Sequence, residues 1–399
     1  MFTQEVDMRR TEWLQETRMI RFEEAFFGWT ENRLSQEEAA RLLGVCGRTF
    51  RRYVCRYEEH GIEGLVDKRL TQVSHRKAPV DEVLALGERY RKRHRGWTAR
   101  HFHAWYRRDG GSRSYTWVKV HLQEAKLIQK APRRGAHRKR RERAPWPGMM
   151  LHQDGSTHEW VPGQQWDLIL TMDDATSEHY SMFFVDEEGT KSSFQGIGEV
   201  IRAKGLFSSL YTDRGSHYWH TPEEGGKVDK KNLTQVGRAM AQLGIEMIPA
   251  YSPEARGRIE RAFRTHQDRL PKELALHGIA GMEKANRYIE EVYLPAHNAE
   301  FMQPPLEEGS AFVECVVPNL PDILCEQHDR IVGRDNCVSF EGKKLQIPPD
   351  RHRCHYVKAP VRVHRYLDDT LAVFHGPRKL AGYDDDGILI SNKGVKASA

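Results

Sequence analysis

A basic, proline-containing segment, residues 129–148, divides this 399-residue chain into two parts with different hydrophobic patterns. The segment has three prolines, two glycines and eight Arg or Lys residues between Lys130 and Arg143. Before it, apolar residues recur at the spacing of amphipathic helices, and after it they alternate as in strands. We therefore expect a multidomain protein with helical N-terminal units, a linker and a sheet-containing C-terminal part.

Charge is divided at nearly the same point. Residues 1–150 contain 33 Lys and Arg against 19 Asp and Glu, a net charge of +14, whereas residues 151–399 carry −8. The basic part suits the neutralisation of phosphates, and the acidic part gathers carboxylates for another task. Mean hydropathy is −0.71, the sequence has no run of about 18 apolar residues for a membrane span, and the N-terminus lacks a secretory pattern. These features predict a cytoplasmic protein without a membrane partner.

Residues 1–72 predict a helix-turn-helix unit. Ser35 and Glu38 form the capping box of one helix, Gly44 ends that helix, and a second helix is predicted over residues 49–57. The second helix turns Phe50 inward and four arginines outward: Arg48, Arg51, Arg52 and Arg56. In a helix-turn-helix such a helix enters the major groove of DNA. The alternative is a plain helical hairpin with solvated arginines.

Residues 73–130 predict a second unit that is similar to a helix-turn-helix. Thr98 and Ser114 stand at the starts of two of its helices. Its aromatic residues lie at helical spacing beside aliphatic ones, so we interpret them as core rather than as base-stacking platforms: Trp97, Trp105, Tyr106 and Trp117.

Residues 131–148 form the predicted basic linker between the helical units and the sheet. Its candidate DNA-binding residues are Arg138, Lys139, Arg140 and Arg141. A tract of this kind is expected to order itself along a phosphate backbone. The alternatives are a solvated tether and a nuclear-import signal.

Residues 149–300 predict a mixed α/β sheet. Alternating apolar residues indicate two strands joined by the polar turn at residues 173–177. Further strands are predicted over residues 149–153, 206–212 and 245–250, with helices near 191–204 and 232–243. Residues 301–399 contain short strands separated by turns and predict a small antiparallel β-barrel.

The six cysteines are scattered and carry no metal-binding spacing, so we interpret them as reduced thiols. His352, Cys354 and His355 lie close together in the sequence. Because successive side chains of a strand face opposite sides, we do not interpret these three residues as a zinc site.

Three acidic residues stand beside the predicted strands of the sheet. Asp154 follows the short strand at 149–153, Asp213 follows the strand at 206–212, and Glu260 lies in the first turn of a helix beyond the third strand. Strand ends facing a crevice are where α/β sheets place their chemistry. Two carboxylates about 4 Å apart repel each other by about 4 kcal/mol at an effective dielectric constant near 20.

A divalent cation removes that repulsion. Two Mg²⁺ or Mn²⁺ ions, which prefer hard oxygen ligands, suit phosphoryl displacement at such a site. The alternative for any one of these acids is a solvated side chain in a loop. Asp173 or Asp174 competes for the role of first ligand, and Glu254 competes with Glu260.

Three segments carry a family resemblance: residues 152–156, HQDGS; residues 211–217, YTDRGSH; and residues 251–261, YSPEARGRIER. They resemble the three motifs of the catalytic core of DDE transposases and retroviral integrases. The chain as a whole, over about residues 30–375, resembles bacterial insertion-sequence transposases of the ISNCY type. The resemblance implies a ribonuclease-H-like fold in which Asp154, Asp213 and Glu260 are the catalytic metal ligands. The 47 residues from Asp213 to Glu260 exceed the spacing of the short-spaced integrases, and the polar stretch 220–231 accounts for the excess.

The resemblance further implies a DNA transposase. Its helical units and linker would bind double-stranded DNA at the terminal inverted repeats of an element, while Arg256 and Arg258 would contact phosphates. Ser216 and His217 would contact DNA or the attacking water. The core would hydrolyse the phosphodiester at the element end, and the freed 3′-hydroxyl would attack target DNA.

Pairing two element ends implies a homo-oligomer, in the bacterial cytosol and at the nucleoid when DNA is bound. Two alternatives remain open at this point. The first is a catalytically inactive, sequence-specific DNA-binding regulator. The second is a ribonuclease-H-like nuclease without strand transfer.

The division of charge predicts that DNA binding depends on salt and that DNA cleavage depends in addition on a divalent cation. DNA binding by a fragment of residues 1–148 should weaken steeply with salt, with a logarithmic slope of about −0.9 per neutralised phosphate. DNA cleavage by the whole chain should in addition require a divalent cation. Fluorescence anisotropy against salt concentration measures the first dependence, and a shallow slope for the fragment would contradict the division.

Overall fold

The computed structural model describes residues 10–66, 78–130, 142–222, 226–251, 253–349 and 353–390. The chain divides into two compact units, Met1–Ala85 and Leu86–Ala399. Among the described residues, no helix combines the length and the apolar character that crossing a membrane requires. The finer division into five domains stays a prediction.

The first unit contains three helices: α1 (Arg10–Thr30), α2 (Gln36–Leu42) and α3 (Gly47–His60). Ser35 and Glu38 form the predicted capping box, with each side chain bonded to the other residue's backbone N–H. Phe50 and Val54 of α3 pack with Phe22 of α1 in a small core. The four arginines of α3 are exposed. The predicted helix-turn-helix is confirmed, while α1 was not predicted.

The second unit begins within α4 (Val80–Arg93), followed by α5 (Ala99–Arg108) and α6 (Tyr115–Glu124). The Thr98 and Ser114 side chains cap α5 and α6 as predicted, accepting hydrogen bonds from His101 and Trp117 backbone N–H groups at 3.4 and 3.3 Å. The four aromatic residues interpreted as core do belong to one apolar cluster, with Trp97 and Tyr106 buried and Trp105 and Trp117 partly buried.

A five-stranded mixed sheet forms the centre of the second unit. Its strands are β1 (Leu151–Val161), β2 (Gln164–Asp173), β3 (His179–Val185), β4 (Ser209–Thr212) and β5 (Glu246–Pro249). The order is β3-β2-β1-β4-β5, with β1, β2 and β3 antiparallel and β4 and β5 parallel to β1. This arrangement confirms the predicted α/β core and agrees with the ribonuclease-H-like fold that the resemblance implied.

Helices cover both faces of the sheet. On one face, Leu151 and Leu210 pack with α7 (Thr190–Lys204) and α8 (Gln235–Leu243). On the other face, Leu168 and Leu170 pack with three helices: α9 (Pro253–Leu276), α10 (Met282–Tyr288) and α11 (Leu294–Phe301). A π-helical turn at Ile289–Tyr293 connects α10 to α11. The sheet is therefore the middle layer of three.

Glu273 of α9 attaches the helical region to this core. Its side chain is 4% exposed and accepts hydrogen bonds from His101 Nε2 at 2.9 Å and Arg108 Nη2 at 3.0 Å, both on α5. Tyr288 of α10 donates a third hydrogen bond at 2.6 Å. Burial alone would raise the pKa of Glu273, but these hydrogen bonds and the Arg108 charge lower it to about 2.

The C-terminal strands form two sheets. Strands β6 (Glu326–Ile331), β9 (Pro360–Arg365), β10 (Leu371–His375) and β11 (Arg378–Tyr383) pair in the order β11-β10-β9-β6. Strands β7 (Cys337–Phe340) and β8 (Lys343–Gln346) form a separate hairpin, and both sheets share one apolar core.

The predicted barrel is not confirmed, because β6 and β11 are the outer strands of an open sheet within the described part of the chain. Strand periodicity indicates which residues face the core, but it does not determine whether the last strand pairs with the first. His352 lies outside the described residues, and Cys354 and His355 are exposed.

Glu273→Gln should destabilise the protein by roughly 3 kcal/mol at neutral pH, since its folded-state pKa of about 2 lies below the ordinary 4.5. A depressed carboxylate pKa stabilises the fold above pH 4.5, and this stabilisation is lost as pH falls toward 2. The difference between wild type and variant should therefore shrink over that window. Urea unfolding at several pH values measures it, with exposed Glu283→Gln as the control; a difference independent of pH would contradict this assignment.

Candidate active site

Asp154 and Asp213 lie near each other in the pairing of two adjacent parallel strands. Leu151 pairs with Leu210, and His152 pairs with Tyr211. Asp154 lies two residues beyond this pairing on β1, and Asp213, the first residue after β4, lies two residues beyond it on the other side. Because neighbouring strands lie about 4.8 Å apart, we expect the two carboxylates to lie close together.

The prediction that Asp154 follows a short strand is wrong. The residue lies inside β1, an eleven-residue strand that pairs with β2 from Leu151 to Val161. Polar residues continue the strand because backbone pairing with β2 extends it beyond the apolar stretch. Asp154 is 5% exposed, and Leu170 lies opposite it on β2.

Helix α9 covers this face and is attached to β1 at two points. Gln267 Nε2 donates a hydrogen bond to Ser156 Oγ at 3.0 Å. At the other end, Arg258 forms an ion pair with Asp174, whose Oδ1 lies 2.7 Å from His152 Nε2. The nine-residue step from 258 to 267 spans about 13.5 Å of helix, and the four-residue step from 152 to 156 spans about 13 Å of strand. The helix therefore runs along β1.

Glu260 lies between these two attachments, over the part of β1 that contains Asp154. Its neighbours Ile259 and Phe263 are buried against the sheet, whereas Glu260 itself is exposed. Glu260 and Gln267 are two helical turns apart and share a side of α9. The structure thus packs the helix of Glu260 along the strand that contains Asp154, with Glu260 itself exposed to solvent.

A fourth carboxylate, Glu188, lies beside them. A Cβ atom built on Gly155 would lie 2.2 Å from Glu188 Oε2, and Glu188 Oε1 is 3.5 Å from His217 Nε2. Burial, together with the negative charges of Glu188, Asp154 and Asp213, holds the pKa of Tyr218 well above its usual value. Sequence reasoning missed Glu188 because it belongs to an acidic turn-like run, and the glycine inside strand β1 was the available signal.

Gln153 supports the site from the opposite face of β1. Its amide donates to Thr171 Oγ1 at 3.0 Å and to the Ser193 carbonyl at 3.2 Å, and its Oε1 accepts from the Tyr218 hydroxyl at 3.0 Å. Asp213 Oδ1 accepts from the Gly215 backbone N–H at 2.8 Å. These contacts fix the strand and the loop that carry the two aspartates.

The competing acids of the hairpin turn have structural partners. Asp173 and Asp174 are both fully buried. Asp173 accepts hydrogen bonds from the backbone N–H groups of Gly148 and Thr176 at 2.9 and 2.8 Å. For Asp174, burial would raise the pKa, but the His152 hydrogen bond and charge, the Ala144 N–H and the Arg258 charge hold it well below its usual value. Their oxygens are engaged in holding the hairpin turn and the start of α9.

The structure describes only some of the other residues predicted to bind DNA. Arg48, Arg51, Arg52 and Arg56 are exposed on α3. Arg138, Lys139, Arg140 and Arg141 lie outside the described residues, as do the side chains of Glu254 and Arg256. Arg258 is only 15% exposed and also donates to the Glu142 carbonyl at 2.9 Å, so its guanidinium already has partners within the protein.

Comparison with known proteins adds two sequence relatives. Residues 29–71 match a family model described as a helix-turn-helix domain. The chain is 28% identical over 355 residues to "Putative transposase y4bF" of Sinorhizobium fredii, covering 86% of this chain and 76% of that protein. It is 27% identical over 212 residues to "Transposase for insertion sequence IS1202" of Streptococcus pneumoniae, covering 53% of this chain and 45% of that protein. These relatives confirm the resemblance to transposases.

Two solved structures are similar at low identity. A chain of the simian T-cell lymphotropic virus intasome, solved in complex with PP2A regulatory subunit B56 gamma, is 15% identical with a TM-score of 0.31, covering 63% of this chain and 82% of that chain. The HTLV-2 integrase catalytic core domain in complex with magnesium is 14% identical with a TM-score of 0.28, covering 37% and 89%.

Arg258→Ala should lower the stability of the DNA-free protein by about 3 kcal/mol, because it leaves the buried Asp174 carboxylate without its ion-pair partner. Exposed Arg264→Ala on the same helix is the matched control and should change stability by less than about 0.5 kcal/mol. Chemical unfolding measures both. Unchanged stability of the Arg258 variant with weakened DNA binding would instead support the phosphate-binding role.

Proposed function

We propose that the chain is a DNA transposase that binds the ends of an insertion sequence and cuts and joins DNA at the site around Asp154. The observation that supports the proposal is the parallel pairing of β1 with β4, two residues before Asp154 and Asp213, on a sheet that the helix of Glu260 covers. Sequence relatives named transposases and the helix-turn-helix domain support the same function.

The donor set of the site fits hard divalent cations. Asp154, Asp213 and Glu260 offer carboxylate oxygens, and the charge of Glu188 acts on Tyr218 together with those of Asp154 and Asp213. Such oxygens suit Mg²⁺ or Mn²⁺ rather than softer metals. When bound, two such ions supply activation of water and stabilisation of the charge on the phosphate oxygens.

The protein's own contribution at the site is positioning. Backbone pairing with β2 fixes Asp154, the Gly215 N–H bonds to Asp213 in the loop after β4, and the Gln153 hydrogen bonds hold the surrounding strand. Groups that are fixed before the substrate arrives need no reorganisation during reaction. Glu260, exposed at the solvent side, stands where a DNA phosphate has access.

DNA binding is assigned to the basic N-terminal part. In the proposal, α3 enters the major groove with Arg48, Arg51, Arg52 and Arg56, which read guanine edges or contact phosphates. The linker residues Arg138 to Arg141 and Arg256 add contacts to the DNA backbone. Pairing two element ends requires at least a dimer. The division into domains at 72, 130, 148 and 300 belongs to the same proposal.

A cleavage and joining assay tests the function. Purified full-length protein is incubated with Mg²⁺ and labelled DNA carrying the inverted repeats that flank its gene. Wild type should nick the element end and form joined products. Asp213→Asn and Glu260→Gln should reduce both by at least about 100-fold, because each removes a charge that the phosphoryl transfer depends on.

Glu290→Gln, an exposed acid on the π-helical turn, is the matched control and should retain activity. Circular dichroism checks that the variants are folded. Nicking without joining would favour a nuclease that lacks strand transfer. Specific binding without cleavage by the wild type would overturn the enzymatic proposal and favour a DNA-binding regulator.

A further inference from the structure

Three buried histidines converge on the α9 side of the sheet, away from every motif of the active site. His179 begins β3, His266 lies in α9 and His297 lies in α11, and their exposed fractions are 3%, 0% and 6%. One ring nitrogen from each lies within 4.8 Å of those of the other two. The fold therefore collects three imidazoles from distant parts of the sequence at one point.

The outer nitrogens of two of these rings already have partners. His179 Nδ1 lies 3.1 Å from the Ser177 carbonyl, and His266 Nδ1 lies 3.0 Å from the Tyr293 hydroxyl. Because a carbonyl only accepts, His179 carries its proton on Nδ1 and turns an Nε2 lone pair inward. Histidines that bind metals are typically held in this way, by an acceptor on the outer nitrogen.

The inner nitrogens have the spacing of metal ligands. His179 Nε2 and His266 Nε2 are 3.0 Å apart. Two nitrogens bound to one zinc ion at 2.0–2.1 Å in tetrahedral geometry are separated by about 3.3 Å. In the metal-free protein His266 Nε2 donates a hydrogen bond to the His179 Nε2 lone pair. A displacement of a few tenths of an ångström, with that proton moved to His266 Nδ1 beside the Tyr293 hydroxyl, would convert this pair into two metal ligands.

His297 supplies the independent indication of a ligand. The residue is 94% buried, and its Nδ1 has no hydrogen-bond partner among the described residues. A buried polar nitrogen without a partner is unfavourable, and a cation shared with the other two imidazoles would satisfy it. A cavity of about 480 Å³ borders His297, Tyr293 and Arg269.

Burial lowers the pKa of all three imidazoles below its usual value, so their surroundings favour the uncharged ring. The nearby Arg269 is balanced by Glu300, which accepts two hydrogen bonds from it at 2.7 and 3.1 Å. Three neutral imidazoles suit zinc and not magnesium.

We propose that His179, His266 and His297 form a zinc-binding site that joins β3, α9 and α11. This site is separate from the carboxylates in both position and ligand class. His266 lies six residues after Glu260 on α9, so zinc would fix the helix that carries Glu260. The site stands or falls independently of the proposed transposase activity.

Metal analysis of the full-length chain tests the site. Protein loaded with Zn²⁺ and dialysed against metal-free buffer should retain one zinc per chain. The double variant Asp154→Asn/Asp213→Asn should retain it as well, whereas His297→Gln should lower zinc affinity at least tenfold. Exposed His60→Gln is the matched histidine control and should behave as wild type.

A thiolate variant separates loss of a ligand from loss of the fold. His297→Cys replaces one zinc ligand by another, so it should recover zinc and, with Co²⁺ as the probe, show a tetrahedral spectrum with an added thiolate charge-transfer band. Wild-type protein that retains no zinc and gives no tetrahedral Co²⁺ spectrum would overturn the proposal. Zinc lost in the aspartate variant but kept in folded His297→Gln would also overturn it, and would assign the metal to the carboxylates.

Discussion

Parallel pairing between β1 and β4 determines the arrangement of the five-stranded sheet and of the acidic residues beside it. β1 pairs antiparallel with β2 on one side and parallel with β4 on the other. A parallel neighbour needs a crossover connection, and α7 supplies it between β3 and β4. That crossover also brings Glu188, next to the first turn of α7, over Gly155 of β1. One pairing choice thus aligns two aspartates and delivers a further carboxylate beside them.

The acids of this core fall into two physical classes. Asp173, Asp174 and Glu273 are buried, and backbone N–H groups, histidines or arginines satisfy their oxygens. Their role is to hold turns and helices together. Asp154, Asp213 and Glu188 are close enough for their charges to act jointly on Tyr218. Grouped negative charge is unfavourable by itself, and the fold maintains it through hydrogen bonds on the reverse face of β1.

Local patterns in the sequence predicted much of this architecture. Apolar alternation identified β2 and β3, and side-chain caps at Ser35, Thr98 and Ser114 located three helix starts. Motif resemblance selected Asp154, Asp213 and Glu260, and the helix of Glu260 packs on the sheet that contains Asp154. Features that depend on distant pairing were not accessible in this way. They include the full length of β1, the open C-terminal sheet, Glu188, the Asp174 ion pair and the histidine cluster.

Helix α9 contacts the rest of the core along most of its length, through Arg258, Gln267 and Glu273 among others. Each residue added to an α-helix turns everything beyond it by about 100°. A single insertion after Glu260 would therefore separate all the later contacts from their partners at once. A change of length in the connection between β4 and α8 would instead leave these contacts in phase. The polar stretch 220–231 lies in that connection, so its length does not affect the phase of α9.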